Sequence, residues 1–349
     1  MIGPKVSILT ITYNQEKYIK KTLDSILSQK VDFSLEVIVA DDASTDDTPQ
    51  IIADYAKKYP FIVPMLRKKN IGAVKNSIDT LKIAKGKYIA LCEGDDYWTD
   101  DSKLQQQVDF LDANNEYAIC FHPVQVEFDD PAIESSIHPK LEHRPSLTSL
   151  IEKNYIPTNS VVFRRQNYDL LPDDVMPLDW FLHLYNAQFG KIKMLPDIMA
   201  VYRRHAQGLW WDSHKDPKKL WQTHLFKMLG TLERVKNLTY GTREAVALEN
   251  SQLRLITAAY RAGAPPNQKT VATYPALITL FLQSHFMQDV SLEKEIRCCN
   301  QKMIEKDHEL TVSKTAIDDL NYKLNELVDS KLWKIRDLAF SVSKMKRKK

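Results

Sequence analysis

The residues that say most about chemistry are crowded into Tyr88–Trp98, which reads YIALCEGDDYW. A short apolar run delivers Glu93, Asp95 and Asp96 within four residues, with Gly94 between them and two aromatics after. Packing alone gives a buried strand no reason to end this way, because carboxylates so close repel unless a proton or cation compensates. A hard divalent ion coordinated by oxygen does so, and a diphosphate can supply its remaining ligands. Mg2+ and Mn2+ both suit the site, with Asp95 as direct ligand, Glu93 acting through ribose or water, and Asp96 holding the loop. Such a cation neutralises charge growing on a departing phosphate. A solvated acidic turn is the competing explanation.

Two later segments offer partners for this cluster. Tyr202-Arg203-Arg204-His205 supplies an imidazole that can complete an oxygen-rich metal site and arginines that can meet a phosphate. Taken alone, such a histidine is more often a structural or surface one. Asp179, in Met176-Pro177-Leu178-Asp179-Trp180-Phe181, begins a helical pattern beside aromatic residues. A carboxylate there can take the proton from an attacking hydroxyl, and it can also simply cap the helix.

The elements that must carry these groups alternate in type. Strand patterns at 5–12, 35–40, 61–66 and 88–91 are separated by helical patterns at 16–29, 48–58 and 73–84. Val- and Ile-rich strands alternating with amphipathic helices predict a parallel sheet covered on both faces. Further along, 104–111 and 180–189 read as helices, 147–152 as a short helix, and 118–128, 160–164 and 192–198 as strands. The stretch 129–144 reads as a loop over one face, which with Trp210-Trp211 would shape an acceptor site.

Ligands of an open parallel sheet bind beyond its strand C-termini, and the polar residues gather there. The first strand runs into Thr12, Tyr13 and Asn14, and the second into Asp41 and Asp42. A carboxylate at such a tip can accept hydrogen bonds from a base, and neighbouring polar groups suit a ribose; turn formation is the alternative for both aspartates. Lys75, in the first turn after Asn70-Ile71-Gly72, could face a nucleotide or stay solvated. No G-x-G-x-x-G or P-loop follows either strand, which removes the strongest signals for nicotinamide and kinase chemistry.

These landmarks resemble glycosyltransferase family 2 in order and spacing. The resemblance covers about residues 5–210, through VSILTITYNQEKYIKKTLDSIL, EVIVADDASTDDT, KNIGAVKNS, GKYIALCEGDDYW, TNSVVFRR, LDWFL and VYRRH. It implies a GT-A, Rossmann-like α/β domain that inverts the anomeric centre while moving sugar from a nucleoside-diphosphate donor, UDP-linked first, to a saccharide or lipid-linked acceptor. By position, Asp41 resembles the base-binding residue, Glu93 and Asp95 the ends of the DxD motif, Asp179 the catalytic base and His205 the late histidine near metal and diphosphate. Two departures stand out: the DxD motif begins with Glu93, and Leu178 replaces the acid that precedes the base. The Q-x-x-R-W signature of processive members is absent. A sugar nucleotidyltransferase and a catalytically retired GT-A-like scaffold are the alternatives.

Composition agrees with a globular chain of 349 residues, 44% hydrophobic and 27% charged. The expected organisation is a catalytic domain at 1–215, a helical domain at 216–290, a long helix or coiled coil at 291–330 and a basic amphipathic tail at 331–349. Apolar positions from Leu292 to Leu327 follow seven-residue phasing interrupted at Lys306 and Ser313, which would support a homo-oligomer or pack on the helical domain. The tail holds eight Lys/Arg and one Asp against a net charge of +3 for the whole chain, so the body is mildly acidic. That distribution argues against nucleic acid as a partner and for an anionic membrane surface under the tail. With no membrane-spanning run and no disulfide-like cysteine spacing, the expected location is the cytoplasm, peripheral to the inner face of the cell membrane.

Overall fold

Val6–Thr12 (β1) is apolar on both faces and buried along nearly its whole length, and so occupies the middle of a sheet. A computed structural model of the chain describes residues 3–141, 144–206, 208, 216–236 and 241–286. Around β1 lie Leu35–Asp41 (β2), Ile62–Leu66 (β3) and Tyr88–Leu91 (β4), all parallel, in the order β4-β1-β2-β3. Helices Ile19–Leu27 (α1), Thr48–Lys58 (α2) and Ala73–Ile83 (α3) make the crossovers. Ile19, Leu23 and Ile26 of α1 and Ile52 of α2 are buried against Val6, Ile8, Val37 and Val39. Parallel pairing brings the tips together: Thr12 is in register with Asp41.

Beyond β4 the sheet departs from the all-parallel expectation. Tyr117–Phe121 (β6), Val162–Arg164 (β9) and Lys191–Met194 (β10) extend it to seven strands, β10-β6-β9-β4-β1-β2-β3, and β9 runs antiparallel to both neighbours. The single strand expected over 118–128 is two. Between β6 and Val124–Phe128 (β7) come His122 and Pro123, and proline lacks the N–H that a continuing ladder needs. β7 leaves for a second sheet with Tyr97–Trp98 (β5), Ser136–His138 (β8) and Ala200–Arg204 (β11), in the order β5-β11-β7-β8. The stretch expected as a loop over 129–144 therefore contributes a strand, β8, to that sheet.

The remaining helices of this part are Lys103–Ala113 (α4), Leu147–Glu152 (α5), Leu178–Ala187 (α6) and Pro217–Lys236 (α7). The chain divides after Ser251 into two compact units. The first holds both sheets and includes α7, whose Thr231 hydroxyl donates to the Met176 carbonyl at 2.8 Å and accepts from the Met176 N–H at 2.7 Å. In the second, Gln268–Thr273 and Pro275–Phe286 follow the end of helix Thr242–Arg261, and the Tyr260 and Phe281 rings meet 5.7 Å apart. Among the described residues no helix is long and apolar enough to cross a membrane. The coiled-coil and tail segments, Trp210-Trp211, Cys298 and Cys299 lie outside the described residues.

Candidate active site

The loop after β4 is clamped from three sides. The Thr22 hydroxyl of α1 lies 2.9 Å from the Gly94 carbonyl and 2.6 Å from the Asp96 carbonyl. Gly94 sits so close to the β1 tip that a Cβ would stand 2.5 Å from Gln15 Oε1 and 2.8 Å from Thr12 Cβ. Side chains are excluded there, so glycine between the acids is a packing requirement. On the third side β5 pairs with β11, Val201 opposite Tyr97, which delivers Arg203 and His205 to the acidic loop.

There the Asp96 carboxylate is buried; its Oδ1 accepts the Arg203 N–H at 2.8 Å, and its Oδ2 has no partner among the described residues. His205 Nε2 lies 2.9 Å from Asp95 Oδ2, the imidazole is buried, and its ring stands 4.6 Å from that of Tyr18. Arg203 donates to the Asp95 carbonyl at 2.9 Å, and its guanidinium lies over the Tyr18 and Tyr97 rings. One oxygen from each of Glu93, Asp95 and Asp96 falls within 4.8 Å of the others. Burial first, then Asp95 and Asp179, push the Glu93 carboxyl up to about 8. Burial, with Asp95 and Glu93, pushes Asp96 well above the carboxylate range. An oxygen-rich cluster whose own charges oppose ionisation, with one buried oxygen unpartnered, fits a divalent cation.

Two cavities meet at this loop. One, of about 380 Å3, is lined by Thr12, Tyr13, Asp42, Asn70, Gly72, Asn76, Asp95, Arg203 and His205. The other, of about 260 Å3, has largely apolar walls from Leu9, Leu81, Ile156, Met176 and Leu182, and it also presents Asn154, Thr158 and Asp179. Ile11, Ala73, Glu93 and Tyr202 line both. Asp179 lies in the first turn of α6, and burial raises its carboxyl above the ordinary range against hydrogen bonds from Trp180 N–H and Asn154.

The strand-tip residues divide between lining the cavity and supporting it. Asp42 lines it and accepts the N–H groups of Ile71 and Gly72, each at 2.8 Å, which fixes the loop before α3. Asp41 is buried and held by Ser44, whose N–H donates to it at 3.0 Å and whose hydroxyl donates as well; it is not among the lining residues. Asn14 also stands behind the wall, accepting the Thr45 N–H at 2.8 Å. Asn14 and Ala43 both have positive φ, 52° and 62°, so the backbone turns sharply just past each strand tip. Lys75 is half exposed, 3.9 Å from Asp79, and outside the cavity lining.

Sequence reasoning did not single out Tyr18, Asn76, Asn154 or Thr158. Tyr18, Asn76 and Thr158 lie inside the quoted motifs, but as lone polar residues they carry no spacing that marks a role, and Asn154 lies outside every motif.

Comparison with known proteins places this architecture. Residues 7–207 match Glycosyl transferase family 2. An uncharacterized protein of Mycobacterium tuberculosis is 45% identical over 81% of this chain and 84% of its own. Among solved structures, S. aureus TarS in complex with UDP has a TM-score of 0.56 at 19% identity, covering 81% of each chain. The mannosyltransferase PcManGT from Pyrobaculum calidifontis, in complex with GDP-Man and Mn2+, has 0.53 at 17%, covering 84% of this chain and 83% of that one. At those identities the likeness is one of fold, the GT-A arrangement.

Proposed function

The chain belongs to glycosyl transferase family 2 and is a glycosyltransferase, and from that premise we propose that it inverts the anomeric centre while moving a sugar from a nucleoside-diphosphate donor to a saccharide or lipid-linked saccharide, in building a cell-surface polysaccharide. The observation that carries this reading is the meeting of the two cavities at Glu93, with Asp95 and His205 on one side and Asp179 on the other. The polar cavity suits the diphosphate and ribose, lined as it is by Thr12, Asp42, Arg203 and His205. Asp41 supports it from behind, or reaches the base if the Ser44 turn opens.

Asp95 and His205 would hold Mn2+ or Mg2+, with Asp96 fixed behind them and Glu93 reaching ribose or water. When bound, the ion draws off negative charge from the leaving diphosphate. In the transfer, the acceptor O–H proton passes to the Asp179 carboxylate. The acceptor oxygen bonds to the anomeric carbon from the face opposite the diphosphate. The bond from that carbon to the phosphate oxygen breaks, and its electron pair stays with the phosphate. Burial favours this role for Asp179, since it raises the carboxyl's basicity toward neutral pH.

TarS was solved with UDP and PcManGT with GDP-Man and Mn2+, so UDP- and GDP-sugars come first in a screen, with dTDP-sugars after. One donor should raise Tm only when Mn2+ or Mg2+ is present, and release nucleoside diphosphate when acceptor is added. Asp179→Asn should keep the protection and lose the transfer. Full turnover by that variant would take Asp179 out of the mechanism.

A lipid-linked acceptor would also give the basic amphipathic segment at 331–349 a task, holding the enzyme at an anionic surface. Vesicles of acidic lipid should bind the full chain in a salt-sensitive way and fail to bind a chain ending at Lys331. Equal absence of binding by both would remove the membrane from this reading.

A further inference from the structure

Asp179 and His183 are one turn apart on α6, a spacing that puts both side chains on one face of the helix. Between them, from the segment after α5, comes Asn154. Its Nδ2 donates to Asp179 Oδ2 at 2.9 Å, and its Oδ1 lies 3.3 Å from His183 Nδ1. The Thr158 hydroxyl approaches the same Asp179 oxygen at 3.5 Å, so both side-chain donors fall on Oδ2.

The chemistry of the three groups fixes the direction of this chain. An ionised carboxylate only accepts, so the Asn154 amide nitrogen faces Asp179 and its oxygen faces the imidazole. The His183 nitrogen in contact with that oxygen must then carry the proton. The tautomer is Nδ1–H, and Nε2 is a bare lone pair. That agrees with its surroundings: His183 is fully buried, Nε2 has no partner among the described residues, and burial holds the imidazole neutral, down to about 3.

Resting on the reading of Asp179 as the base, we infer that Asn154 and His183 are its positioning residues: His183 Nδ1–H locks the rotation of the Asn154 amide, and that amide holds Asp179 Oδ2. With both side-chain donors on Oδ2, Oδ1 has no side-chain partner among the described residues and is the oxygen offered to the acceptor hydroxyl in the cavity that Glu93 also lines. In this sequence Leu178 stands directly before Asp179 and brings no acid or hydrogen-bonding group to orient it. The Asn154 and His183 pair performs that orientation instead.

The same geometry sets a direction for titration. The Asn154 N–H favours the charged form of Asp179, and its removal moves Asp179 to higher pH. The other titratable groups facing Asp179 are Glu93, His138 and Tyr202 on the cavity wall and His183 on α6. They remain in every variant below except those that change His183.

The test reads Asp179 with and without turnover, on the full chain. Without ligand and in EDTA, the Tm difference between the chain and its Asp179→Asn variant is followed against pH, and its inflection reports Asp179. The same pair is then compared in the Asn154→Ala, His183→Leu and His183→Asn backgrounds. Asn154→Ala should move the inflection up by about one pH unit, as loss of a hydrogen bond to a charged group implies. His183→Leu should shift it the same way, whereas His183→Asn, whose amide N–H can stand where Nδ1–H stood, should restore much of the original value. With donor and acceptor, Asn154→Ala should lower kcat about ten-fold or more, leave the donor KM unchanged and move the acid limb of kcat upward.

Inflection and kcat at wild-type values in Asn154→Ala would overturn the proposal, and so would His183→Asn behaving like a variant without any donor. Should His183→Leu fail to fold, the Asn154→Ala and His183→Asn comparisons still decide. Turnover unaffected by Asp179→Asn, alongside a shifted inflection in Asn154→Ala, would refute the base reading but leave the pairing intact.

Discussion

Between Glu93 and Asp96 three carboxylates share one loop, whereas Asp179 meets the same space as a single carboxylate on the first turn of a helix. The loop is over-determined: Thr22, Arg203 and the close approach of Gly94 to Thr12 all hold it, yet Glu93 and Asp96 are driven toward protonation by burial and by their neighbours. Asp179 is oriented through neutral donors, and burial is the main influence raising it. The difference teaches how one residue type serves two ends. Crowded acids need a cation to ionise together, and an acid set apart from the loop, in a cavity with largely apolar walls, is left ready to take a proton.

The sharpest way to break this contrast is to neutralise one acid on each side. Asp179→Asn should lower kcat by about 10²–10⁴-fold, the usual weight of a general base, with donor- and cation-dependent Tm protection intact. Asp95→Asn should lose the protection together with the turnover. If the two variants exchanged behaviours in a thermal-shift titration, the division of labour would be reversed.

Gly94→Ala forces a Cβ against Thr12 and Gln15 and should cost about 1–3 kcal/mol through overpacking. Read by calorimetry, that is about 2–4 °C per kcal/mol for a unit of this size. An unchanged Tm would mean that the β4 tip is free to move away from β1.

Acidity sharpens the same comparison. Glu93 stands at about 8 in the folded chain against 4.5 ordinarily, so the folded state binds the extra proton between those values. Its contribution to stability is present below about pH 4.5 and is lost as pH rises through about 8. In EDTA, Tm should therefore fall from pH 5 to pH 8, and added Mn2+ should stabilise more at pH 8 than at pH 5, because the cluster gives up protons to the ion more readily as pH rises. A cation effect independent of pH would separate the cluster from the ion.

Lys75→Ala is the mildest change. The side chain is half exposed and 3.9 Å from Asp79, and such a surface pair contributes about 0–1 kcal/mol. Donor affinity should hold. A large loss in a donor titration would bring Lys75 to the diphosphate after all.

The first half of the fold was legible because its signals are local. Val- and Ile-rich strands at 6–12 and 35–41 alternate with helices at 19–27 and 48–58, and period and punctuation identify each without reference to the others. The second half was less so. Two short strands, Tyr97–Trp98 and Ser136–His138, hold two or three residues each, too few to show a period, whereas the strand expected over 160–164 is there as Val162–Arg164. Their pairing is a tertiary matter, and the break at His122-Pro123 reads as a bend until a second sheet is there to receive β7.

By itself the sequence determined that an acidic cluster follows a buried strand, that polar residues end the first two strands, and that Asp179 opens a helix. These follow from residue type and spacing along the chain. Only the tertiary structure decided which aspartate of the Asp41-Asp42 pair lines the cavity, and that β11 carries His205 to within 2.9 Å of Asp95 across 110 residues of chain. It also decided that Asn154 links Asp179 to His183. The physical reason is that hydrogen bonds and burial depend on distance in space, and strand pairing between remote segments sets that distance where no local pattern can record it.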